Sequence, residues 1–229
     1  MTRRFDAVVF DCDGVLVDSE RLSAEVSRRI LADLGWDIGT DELMERFTGC
    51  SREHFVAAIE SRIGRPLEPG WDAPYRGWLE EAFRAGLAPV PGIERALERI
   101  GMPVAVASNS GHERIRTSLE IVGLLSRFDG RISSAEDVAA GKPAPDVYLR
   151  AAEILGVPPE RCIAIDDSRF GVEAARRAGM LVFAYGPEGS FPAEERVVPI
   201  HDLRRLPELL DRIVRDGAIS PVRADGDPA

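Results

Sequence analysis

Apolar and polar positions along the chain sort into short, nearly all-apolar runs and longer stretches with a helical beat. The first run, Phe5-Asp-Ala-Val-Val-Phe10, reads as a buried strand. Residues 103–107, 162–165 and 181–185 read the same way, and 131–134 is a shorter candidate. Residues 19–34 predict a helix that carries Leu22, Val26, Ile30 and Leu34 on one face, with Ser19 as N-cap and Gly35 as stop. Further helices are expected over 41–47, 53–63, 74–87, 93–100, 112–125, 146–155, 171–178 and 203–214. Thr48-Gly-Cys-Ser51 is a break between two of them, with Ser51 a candidate cap.

The order of these elements predicts the architecture. From residue 18 to 87 no strand is visible. Outside that block strands alternate with helices, which implies a parallel sheet covered on both faces. The fold class is therefore α/β: a Rossmann-like, doubly wound core from residues 1–17 and 88–216, with an inserted all-helical cap at 18–87. Residues 217–229, rich in Pro, Gly and Asp, are expected to be a disordered tail.

In such sheets ligands sit beyond the carboxyl ends of the strands. Asp11, Ser108 and Asp166 each follow an apolar run at once, and Lys142 lies in the Gly141-Lys-Pro-Ala-Pro145 loop after another candidate strand. All four are expected on one rim. The helical block leaves the sheet after the first strand and returns before the second, so a lid above that rim is expected.

At the first strand end stand Asp11 and Asp13, followed by Gly14. With strand geometry carried through Cys12, both carboxylates point to one side and Cys12 points into the core. Two converging acids repel unless a cation lies between them. Oxygen ligands suit magnesium. The ordinary alternative is a strand that ends in a polar turn. Ser108-Asn109, Lys142 and Asp166-Asp167-Ser168 each have such an alternative too: a cap, a solvated lysine, a helix start. Taken together they supply two acid pairs, a hydroxyl and an ammonium, the set that a phosphoryl group and a divalent cation would need.

Composition narrows the picture. A net charge of −10 over 229 residues, with a pI near 4.9, argues against nucleic acid or an anionic membrane as partner. No apolar run is long enough to span a bilayer. The Met1-Thr-Arg-Arg4 start leads into a run broken by Asp6, Asp11 and Asp13, unlike a signal peptide. Cys12, Cys50 and Cys162 are widely spaced, so neither a disulfide framework nor a zinc site is expected, and the default compartment is a reducing cytoplasm. Lys142 is the one lysine among 29 basic residues, and Asn109 is the one asparagine. Both fall inside the proposed constellation. Arg is a planar fork and Lys a compact point charge, so a lysine kept here points to a need for the latter.

Four ordered motifs carry a resemblance: Asp11-Cys-Asp13-Gly-Val-Leu-Val-Asp-Ser; Ser108-Asn109; Gly141-Lys142-Pro-Ala-Pro-Asp146; and Asp166-Asp167-Ser-Arg-Phe-Gly171 running on to Gly179-Met. Over residues 5 to 186 the chain resembles the haloacid dehalogenase superfamily, in its phosphatase and β-phosphoglucomutase-like branch. The resemblance implies that Asp11 is a nucleophile that forms an aspartyl-phosphate, and that Asp13 is general acid and then general base. It implies Mg²⁺ held by the Asp11 carboxylate, the Asp13 carbonyl and the carboxylates of Asp166 and Asp167. Ser108, with Asn109, would hold phosphoryl oxygens, and Lys142 would offset their charge.

A carboxylate at Asp13 fits an alkoxide leaving group better than halide, which disfavours a dehalogenase. In the mutases a His stands on the first cap helix, whereas this chain reads Arg21-Leu-Ser-Ala-Glu25 there. Thr48-Gly-Cys-Ser51-Arg52 resembles the cap loop whose Arg binds substrate, which makes Arg52 a candidate contact. The expected activity is hydrolysis of a small phosphorylated metabolite, a sugar phosphate by preference. The alternatives are a phosphosugar mutase and a noncatalytic binding protein. The partner expected is the small-molecule phosphoester, and the default state is a monomer. His54 and His201 are expected at the surface, His54 with a lesser claim to face substrate, and His112, three residues after Asn109, could cap or neighbour the site. Trp71, Trp78, Phe55 and Phe83 are expected in the cap core. Glu173, Arg176 and Arg177 read as a solvated helix face.

Overall fold

The computed structural model describes residues 5–47 and 52–216. Its chain divides into two compact units: residues up to Leu16 with those from Pro89 onward, and Val17–Ala88.

The first unit holds a six-stranded sheet: β1 (Ala7–Phe10), β2 (Val104–Ser108), β3 (Ile132–Ser134), β4 (Cys162–Asp166), β5 (Leu181–Tyr185) and β6 (Val197–Ile200). The strand order is β3-β2-β1-β4-β5-β6, and every pair is parallel. β1 is thus central, with Phe10 in register with Val106 on one side and Ile165 on the other. All four β1 residues are buried, as expected of a strand covered on both faces.

The two faces differ in side-chain size. Ala7, Val9, Ala105, Ala107, Cys162 and Ala164 share one cluster with the buried faces of α8 (Asp146–Leu155) and α9 (Arg169–Arg177). Small side chains there leave room for helix against sheet. Phe10 on the opposite face meets Phe128 edge to face at 6.1 Å. The unit is completed by α5 (Ile93–Arg99), α6 (His112–Ile121), α7 (Leu125–Phe128) and α10 (Leu206–Asp216).

The second unit is helical: α1 (Glu20–Asp33), α2 (Thr40–Phe47), α3 (Arg52–Ile63) and α4 (Arg76–Gly86). Its core gathers Ala24, Leu31, Trp36, Ile38, Leu43, Phe47 and Ile59, with Phe55 and Trp71 packed against it. Phe83 is buried as well. Trp78 instead carries the Arg29 guanidinium over its ring at 3.9 Å.

Several sequence expectations are corrected. β6 was not anticipated, because Pro199 interrupts its apolar run. It is an edge strand, where a missing N–H is tolerated. The helix expected over 112–125 is two helices, broken where Gly123 takes a φ of 73°. The helices expected from 74 and 203 each open with a 3₁₀ turn, Ala73–Tyr75 and Leu203–Arg205. Ser19 occupies the N-cap position of α1 but makes no side-chain capping bond. The most buried positions of α1 are Ala24 and Leu31, flanking the predicted face, whose own members are half-buried. The break at Thr48–Ser51 lies outside the described residues.

Candidate active site

The site is built at the carboxyl ends of β1, β2 and β4. The Asp11 amide is the last tie of the central strand, donating to the Ile165 carbonyl at 2.9 Å. Beyond it the chain turns, with the Leu16 amide bonded to the Cys12 carbonyl at 2.9 Å. Gly14 takes a φ of 77°, and a Cβ there would fall 1.9 Å from Asp167 Oδ2. Glycine is therefore required at position 14 both by the backbone and by the carboxylate lying against it.

Lys142 is the hub. Its side chain is only 4% exposed, and its Nζ lies 2.7 Å from Asp11 Oδ1 and 2.8 Å from Asp166 Oδ2. The Lys142 backbone is itself fastened: its amide donates to Asn109 Oδ1 at 2.7 Å, and Asn109 Nδ2 donates to its carbonyl at 3.3 Å. A Cβ on Gly141 would fall 2.7 Å from that Asn109 oxygen. Both singleton residues thus meet in one contact. Asn109, expected beside the phosphate, spends its side-chain amide on holding the lysine loop.

Asp166 is fully buried, and both of its oxygens are engaged. Oδ2 accepts from Lys142 and from the Tyr148 hydroxyl at 2.6 Å. Oδ1 accepts from the Ser168 amide and hydroxyl, each at 2.9 Å. Ser168 caps α9 by accepting from the Gly171 amide at 2.9 Å. Gly171 has no alternative, since a Cβ there would lie 1.8 Å from Asp166 Oδ2.

Asp13 has different partners. Its Oδ2 accepts from Ser110 Oγ at 2.9 Å and its Oδ1 from Arg114 Nη2 at 3.1 Å. Ser110 is tied in turn to β2 and β3: its amide donates to the buried Ser108 Oγ at 3.1 Å, and its carbonyl accepts from Ser134 Oγ at 2.7 Å.

The electrostatics follow from this crowding. Burial, reinforced by Asp166 and Asp13, pushes the Asp11 carboxyl up to about 7 against the opposing pull of Lys142. Burial also disfavours the Lys142 ammonium, but Asp11 and Asp166 outweigh it and raise its pKa above the ordinary lysine range. One ammonium does not balance the acids around it.

A model of the haloacid dehalogenase-like hydrolase family matches residues 5–179. The chain belongs to that family. It is 29% identical over 209 residues to the 6-phosphogluconate phosphatase of Escherichia coli (strain K12), covering 90% of this chain and 95% of that protein. It is 31% identical over 187 residues to the fructose-1-phosphate phosphatase of the same organism, covering 79% and 96%. A solved HAD family hydrolase from Deinococcus radiodurans R1, with bound phosphate and sodium, matches with a TM-score of 0.74 at 29% identity, covering 92% of this chain and 98% of that one.

Within this hydrolase the carboxylates of Asp11, Asp166 and Asp167 each offer an oxygen within 4.8 Å of the others. Such an all-oxygen set fits a hard divalent cation. The raised Asp11 carboxyl points the same way, because a second positive charge would relieve it.

Arg52 opens α3 in the helical unit, and its side chain lies outside the described residues. His54 is exposed and faces the Phe47 ring, His112 pairs with Asp137 at 2.8 Å, and His201 contacts the Gly186 carbonyl. Cys12 is buried, and burial pushes its thiol well above the ordinary range, so it is core rather than nucleophile. Glu173 pairs with Arg176 and Arg177 on an exposed face.

Three side chains were not anticipated: Ser110, Arg114 and Tyr148. Tyr148 carried a signal, since a buried phenol on a helix facing the sheet needs a partner for its hydroxyl. Arg114 carried none, because its partner is 101 residues away.

Proposed function

We propose that this hydrolase is a Mg²⁺-dependent phosphatase acting on a small phosphorylated metabolite, a sugar phosphate by preference, through an aspartyl-phosphate. One observation carries the reading: Asp11 is fixed against Lys142 at the end of the central strand, while Asp13, two residues on, is held by separate partners. The relatives' names support the class, and the phosphate bound in the Deinococcus radiodurans structure agrees with an anion site on this fold.

In this reading Asp11 attacks phosphorus, and the P–O(alkyl) bond breaks as Asp13 gives its proton to the departing oxygen. Asp13 then takes a proton from the water that cleaves the acyl phosphate. Lys142 lowers the cost of bringing one anion to another. Asp11, Asp166 and Asp167, with the Asp13 carbonyl, would hold Mg²⁺. Asp166 also receives Lys142 and the Ser168 turn that presents Asp167. Bound there, the metal supplies positive charge to Asp11 and the phosphoryl oxygens.

The test is release of inorganic phosphate from sugar phosphates with and without Mg²⁺. Wild type is expected to turn over only with the metal, and Asp11→Asn to lose at least about 10⁴-fold in kcat, as removal of a nucleophile does. Undiminished turnover by Asp11→Asn would refute the reading.

A further inference from the structure

Arg114 stands on the first turn of α6 and reaches the rim with one guanidinium nitrogen on Asp13 Oδ1, while Ser110 Oγ takes Oδ2. Each oxygen of one carboxylate is therefore held by a different donor. Both donors come from the segment that follows β2, and that segment is locked by Ser108 and Ser134. A lone aspartate beyond a strand end turns freely about two side-chain torsions. Two tethers in different directions leave it one orientation. Asp13 is 27% exposed and Arg114 39%, so a surface ion pair of this kind adds little stability. Its value lies in aim.

We propose that Arg114 is a positioning residue that holds Asp13 at the angle from which its proton reaches the leaving oxygen. The proposal rests on the phosphatase reading and deepens it. In the step concerned, a bond forms from Asp11 to phosphorus and the bond from phosphorus to the ester oxygen breaks. The electron pair stays on that oxygen, and the Asp13 proton joins it. An aliphatic alkoxide needs that proton in order to leave, whereas a nitrophenolate leaves without it. A held Asp13 therefore matters for esters of aliphatic alcohols and hardly at all for activated aryl esters.

The experiment compares kcat/KM for fructose 1-phosphate and 4-nitrophenyl phosphate, because this ratio reports only steps up to the first irreversible one. The chains compared are wild type, Arg114→Met, Asp13→Asn and the double variant. Arg114→Met is expected to lose about 10- to 100-fold on the sugar ester, the usual cost of a misaimed acid, and less than about 3-fold on the aryl ester. In the Asp13→Asn background the same change is expected to cost nothing further on either ester. Equal losses on both esters, or a loss that persists without the Asp13 acid, would overturn the proposal and make Arg114 a substrate contact or a packing residue. Should Arg114→Met melt early, Arg114→Lys keeps a donor in place and is judged by the same ratio of the two esters. Failure of the phosphatase reading shows separately, as turnover retained by Asp11→Asn on both esters.

Discussion

The two halves of the rim hold their acids in opposite ways. Around Asp11 the ionic partners are buried: the Lys142 side chain, Asp166 and the Tyr148 hydroxyl form a set in which each member is another's counter-charge or donor. Around Asp13 the partners are half-exposed and come from a loop and a helix start. Low dielectric makes the first half strong and unforgiving, since a buried charge stripped of its partner has no water to turn to. The second half is weak in energy and serves orientation. A nucleophile must sit still beside an anion, while a proton carrier must serve a leaving oxygen and then a water. In the proposed mechanism the first, Asp11, stands in the buried half and the second, Asp13, where solvent reaches.

This contrast can be broken by substitution. The largest effect is expected at Lys142. Lys142→Met leaves Asp11 and Asp166 buried without their cation, and kcat is expected to fall about 10³-fold or more. Thermal unfolding in chelator should show a loss of roughly 3 kcal/mol, because one member of a buried set has been removed. Activity near wild type would mean that the cluster is structural only. Arg114→Met comes next, with its loss confined to the aliphatic ester. The smallest effect is expected from Tyr148→Phe, which removes one 2.6 Å bond to Asp166 and keeps the ring against the sheet. About a tenfold drop in kcat with KM little changed, and about 1–3 kcal/mol of stability, would fit a partner acting through Asp166. A larger loss than that of Lys142→Met would contradict the order of effects within the buried half.

How much of this was legible in the sequence follows the same division. The sheet was readable because β1, β2, β4 and β5 are apolar on both faces, and the first three of these end abruptly in Asp or Ser. β6 was hidden because Pro199 breaks the pattern that an edge strand can do without. Asp11, Lys142 and Asp166-Asp167 were readable because strand-end position and residue type together specify them. The part of Asn109 was not, because its use on the Lys142 backbone depends on how two distant loops meet. Arg114 was invisible for the same reason: nothing local distinguishes it from the other arginines on helix surfaces. In the helical unit, α1 shows the limit of a four-residue beat, since Ala24 and Leu31 are buried more deeply than the stripe that predicted the helix.

The central claim is that Asp11 becomes covalently bonded to phosphorus. It is tested most directly by quenching the enzyme with Mg²⁺ and substrate at steady state, reducing with borohydride and sequencing the peptides by mass spectrometry. An acyl phosphate is reduced to the alcohol, so homoserine is predicted at position 11 and nowhere else, absent without substrate and absent from Asp11→Asn. Homoserine at another aspartate, or unmodified Asp11 in an enzyme that is turning over, would contradict the account.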